Sequence, residues 1–66
     1  MIIVIAYTEN SRVVTCSYNV TTVADAIRAF VYEQGYHTGI KQLAVIENGQ
    51  AHYYTWLEAL SLRKEH

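Results

Sequence analysis

The chain has 66 residues and a formal net charge of −1, with no basic cluster beyond Arg63-Lys64, which leaves room for one small domain and argues against long-range attraction to nucleic acid or anionic lipid. A lone cysteine, Cys16, excludes an internal disulfide and fits a reducing compartment. Asp, Glu, Lys and Arg make up only 17% of the residues, against roughly 25% in an average domain.

In chain order, residues 2–8 are almost continuously apolar and β-branched, which predicts a strand. Met1-Ile2-Ile3-Val4-Ile5 lacks the basic start and the length of a secretory leader, so a cytoplasmic location is expected. Asn10-Ser11 reads as a tight turn. Residues 12–20 alternate, with Val14, Cys16, Tyr18 and Val20 on one face. Thr22 is placed to cap a helix over 22–34, whose apolar stripe is Val23, Ala26, Ile27, Phe30 and Val31. Gly35 is a natural terminator.

Tyr36-His37-Thr38-Gly39 reads as a linker, and residues 40–46 as a third strand. Asn48-Gly49 is a strong hairpin signal, a two-residue turn with both central residues left-handed. Residues 50–54 form the fourth strand. Thr55 then caps a second helix, with Trp56, Leu57 and Leu60 expected to face inward.

The two helix starts echo each other. Thr22-Val23-Ala24-Asp25-Ala26-Ile27 and Thr55-Trp56-Leu57-Glu58-Ala59-Leu60 share the order Thr, apolar, apolar, acid, Ala, branched apolar. The acid three places after the Thr is the spacing of a capping box. The fold expected is therefore α+β: one domain over 1–66, with a four-stranded, mainly antiparallel sheet and two helices on one face. It is built from two ββα units, 1–35 and 40–66.

Turn positions predict register, and register predicts faces. A two-residue loop at Asn10-Ser11 sets Tyr7 opposite Val14, Ile5 opposite Cys16 and Ile3 opposite Tyr18. The face with Ile3, Ile5, Tyr7, Val14, Cys16 and Tyr18 is then the expected core face. The repeat equates Tyr53 with Val20, which adds Ala44, Ile46, Ala51 and Tyr53 to that face. The opposite face would carry Ile2, Val4, Val13, Leu43, Val45, His52 and Tyr54. That set is the expected interface, because contiguous apolar surface on a small chain marks a contact site.

Chemistry-bearing groups are sparse. His37, His52 and His66 show no metal-ligand spacing with one another or with Cys16. Cys16 alternates with Val14 and Tyr18, as a core thiol does. The three glycines form no phosphate loop. Asn19-Val20-Thr21 matches a glycosylation acceptor but lies in an expected strand. No nucleophile–base pair is apparent, so no catalytic residue, cofactor or metal is expected and an enzyme is disfavoured. The expected function is a small protein-interaction module, an adaptor or inhibitor suited to a mobile element, acting as a homodimer. A second reading, from a different class, is a binder of a small aromatic ligand or nucleotide at a cleft of Tyr32, Tyr36 and His37.

Overall fold

The computed structural model describes residues 1–34 and 39–64. The elements follow in the order β1 (Ile2–Thr8), β2 (Val13–Tyr18), α1 (Val23–Gln34), β3 (Ile40–Glu47), β4 (Gln50–Thr55) and α2 (Trp56–Lys64). The strands form one antiparallel sheet in the order β2-β1-β3-β4, so the first strand of each ββα unit lies at the centre. Gly35, Tyr36, His37 and His66 fall outside the described residues.

Both expected helix caps form. The Asp25 amide donates to Thr22 Oγ1 at 3.1 Å and the Glu58 amide to Thr55 Oγ1 at 3.2 Å. In the second cap the Thr55 amide also donates to Glu58 Oε1, at 2.9 Å, which completes a capping box. Asp25 is one methylene shorter than Glu58. Its carboxylate instead takes a bond from Arg28 Nη1 at 3.2 Å.

One core cluster joins the layers. Ile2, Val4 and Ala6 from β1 and Leu43 and Val45 from β3 are buried with Ala26, Ile27, Phe30 and Val31 of α1 and Ala59 of α2. The rings of Phe30 and Trp56 meet edge to face, with centroids 6.4 Å apart. Arg28 Nε donates to the Leu62 carbonyl at 3.2 Å, which ties α1 to the last turns of α2. Both helices therefore cover the same face of the sheet. Leu57, expected inward, is 77% exposed. With α2 beginning at Trp56, the inward positions are Trp56, Ala59 and Leu60, and Leu57 lies about 100° from Trp56 around the axis.

The second hairpin has the expected register, with Ile46 opposite Ala51 and Val45 opposite His52. Asn48 (φ 51°) and Gly49 (φ 78°) are both left-handed, as the two-residue turn requires. The first hairpin differs by one residue. Tyr7 pairs with Val13, Ile5 with Thr15 and Ile3 with Ser17. Its loop is Glu9-Asn10-Ser11: the Ser11 amide donates to the Thr8 carbonyl (3.2 Å), the Thr8 amide donates to the Arg12 carbonyl (3.0 Å), and Ser11 has φ 60°. That is a three-residue hairpin loop, a turn followed by a left-handed residue. Thr8 Oγ1 accepts from the Arg12 amide at 3.1 Å and holds the loop shut.

The extra loop residue turns β1 over relative to β2. Val14, Cys16 and Tyr18 do face the helices, but their partners there are Ala6, Val4 and Ile2. The second hairpin is turned over too, although its register is as expected. Equating Tyr53 with Val20 fails because β2 ends at Tyr18, whereas β4 runs directly into α2. Residues 19–22 separate strand from helix in the first unit and have no counterpart in the second.

Candidate functional site

The residues expected at the interface are placed elsewhere. Ile2, Val4, Leu43 and Val45 lie in the core beneath the helices. His52 and Tyr54, opposite Val45 and Leu43, are on that same covered face and half-buried. Val13 alone of the set lies on the open face, opposite Tyr7.

The open face is the other parity of the strands. Across the sheet its rows read Ser17–Ile3–Ile46–Ala51, Thr15–Ile5–Ala44–Tyr53 and Val13–Tyr7–Gln42–Thr55. None of these positions is Asp, Glu, Lys, Arg or His. Tyr7, Val13 and Tyr53 are 42%, 56% and 65% exposed. Ile3, Ile5 and Ile46 are half-buried by their neighbours alone. Ala44 is only 4% exposed although no helix crosses it, because Ile5 and Tyr53 flank it in the ladder. The surface thus has a pit at Ala44, a ridge of isoleucines, and two tyrosines beside them. An antiparallel sheet normally turns polar side chains to water on its free face. This one turns mainly aliphatic and aromatic groups outward.

The chemistry elsewhere is limited. Among the described residues no group of three His, Cys, Asp or Glu is arranged to hold a metal ion. His52 Nε2 lies 3.9 Å from Glu47 Oε1 and is shut off from solvent without a hydrogen-bond partner. The Tyr18 hydroxyl is likewise enclosed without a well-aligned partner. Burial pushes its ionisation well above the ordinary phenol range, and the neighbouring Glu33 and Cys16 push it further. Tyr18 therefore stays a neutral phenol at ordinary pH. An open depression of about 260 Å³ is lined by Tyr54, Glu58, Ser61 and Leu62. Small-molecule sites usually enclose about 300–1,000 Å³, and the Glu58 carboxylate is already engaged by the Thr55 amide.

Of the expected ligand cleft, Tyr32 projects from α1 at 86% exposure. Tyr36 and His37 lie outside the described residues. Among the described residues no helix is long and apolar enough to cross a membrane.

No protein-family model, curated protein or solved structure matches this chain.

The residues that sequence reasoning assigned to the core, Ile3, Ile5, Tyr7, Ala44, Ile46, Ala51 and Tyr53, are the ones that form the open face. Side-chain bulk gives no warning of this. In β1 the open-face set Ile3, Ile5 and Tyr7 is larger than the buried set Ile2, Val4 and Ala6.

Proposed function

We propose that this chain is a small cytoplasmic protein-interaction module, an adaptor or inhibitor of the kind mobile elements carry, that lays its open sheet face on an apolar surface of a protein partner. The observation that carries this reading is the uncharged grid centred on Ile5, Ala44 and Ile46. Depletion of charge, with aromatic residues present, is the composition of an interface core. The single free thiol of Cys16 is compatible with the cytoplasm.

The test is Ile5→Lys. The side chain lies on the open face, so the variant should fold with a melting temperature close to that of the native chain. It should also lose a protein that the native chain captures from a native lysate, because the ammonium would be stranded in an apolar contact. Capture that is unchanged in Ile5→Lys would sink the reading.

A further inference from the structure

We propose that a second copy of this chain pairs with it edge to edge through β2, joining two sheets into one of eight strands. The phase of the hydrogen bonding singles out this edge. Thr8 and Arg12 close the first loop through the Thr8 amide. Bonding alternates along an antiparallel ladder, so Val14, Cys16 and Tyr18 direct their backbone groups at β1. Val13, Thr15 and Ser17 direct theirs outward, and all three residues are exposed.

The opposite edge is partly closed. By the same alternation, Ala51, Tyr53 and Thr55 point outward on β4. The Thr55 amide, however, is taken by Glu58 Oε1 at 2.9 Å, and α2 begins at the next residue. Among the described residues β2 has no such cover. Natural edge strands are usually guarded by charge, proline or a bulge. β2 reads Val-Val-Thr-Cys-Ser-Tyr, with neither charge nor proline, and its ladder with β1 is regular throughout.

A second copy fits this edge. A two-fold axis at Thr15 sets Thr15 against the partner's Thr15 and Val13 against the partner's Ser17, so the outward groups of the two strands meet. Facing threonines are a favourable cross-strand pair. A charge near the axis would meet its own like charge in such an isologous contact; β2 itself contributes none, and Glu33 of α1 lies beside Tyr18 at the end of the strand. Val14, Cys16 and Tyr18 are only half-buried at the margin of the core, and the neighbouring strand would cover them.

Area supplies a further argument, which rests on the proposed function; the edge argument does not. Four strands about 4.8 Å apart and roughly 20 Å long make a face of about 400 Å² in plan. A standard-size interface takes about 800 Å² from each partner. Pairing through β2 places two open faces side by side and reaches that size.

The experiment is light scattering from micromolar to millimolar protein, with amide hydrogen exchange read at both ends of the range. The native chain should pass from monomer to dimer. The Val13, Thr15 and Ser17 amides should gain protection only in the dimer, while those of Val14 and Cys16 are protected throughout. Thr15→Pro removes an outward donor without touching the β1 ladder, as edge proline does, and should weaken dimerisation at least tenfold. A native chain that is monomeric across the range overturns the proposal. So does a dimer that persists in Thr15→Pro but is lost in Ile5→Lys, a result that would leave the open face standing as the contact. Should Thr15→Pro not fold, the exchange pattern of the native chain decides alone, and protection of Thr15 that does not depend on concentration counts against edge pairing.

Discussion

Val4 and Val45 face each other across the central β1–β3 ladder, and both are fully buried beneath the helices. One residue along, Ile46 stands opposite Ile3 on the open face. The core and the candidate contact surface thus alternate along the same strand.

This alternation predicts opposite outcomes for adjacent substitutions. Val45→Glu buries a carboxylate without a partner, at a cost above about 4 kcal/mol, which is comparable to the whole stability expected of a 66-residue domain. It should unfold the chain. Ile46→Glu should stay folded and lose less than about 1 kcal/mol. Circular dichroism with urea titration measures both. Equal damage from the two would mean that the faces are misassigned.

The caps should differ in weight. Thr22→Ala removes one accepted amide bond and should cost about 1 kcal/mol. Thr55→Ala breaks a reciprocal box and should cost more, up to about 2 kcal/mol. Glu58→Ala should also destabilise, and the double variant should lose less than the sum of the two single losses in a double-mutant cycle. Additive losses would show that the two bonds act independently.

The first loop makes its own prediction. Ser11 is held at φ 60°, where a side chain is strained. Ser11→Gly should therefore stabilise the protein by roughly 0.5–1 kcal/mol while keeping the register. The midpoint of chemical unfolding reads this directly. Destabilisation would argue for the two-residue loop instead.

Tyr18 links stability to alkaline pH. Its folded-state ionisation is raised above the ordinary value of 10.0, chiefly by burial. For a raised group the associated stability is complete below the unfolded value and is lost as pH climbs above it. The native chain should lose stability above about pH 10. Tyr18→Phe should soften that loss, and it should be neutral or stabilising by up to about 1 kcal/mol at pH 7, because the enclosed hydroxyl lacks a well-aligned partner. Thermal melts of both proteins across pH 7–11 decide it, and parallel alkaline losses would remove Tyr18 from the account.

Much of the fold is legible in the residues alone, because its signals are local. β-branched runs give the strands, Thr and an acid three places on give both helix starts, and Asn48-Gly49 gives a turn whose left-handed pair sets the second register. The choice of covered face is not local. Both parities of β1 and β3 are apolar, so alternation cannot separate Val4 and Val45 from Ile5 and Ile46. The first register turns on whether Glu9 belongs to strand or loop. That depends on Ser11 accepting a left-handed conformation, which serine does not advertise as glycine would. Only the tertiary structure decides between the faces: the three-residue loop turns β1 over, and the helices pack where Ile2, Val4, Leu43 and Val45 form one surface with Phe30 and Ala59. The uncharged open face is what that packing leaves uncovered.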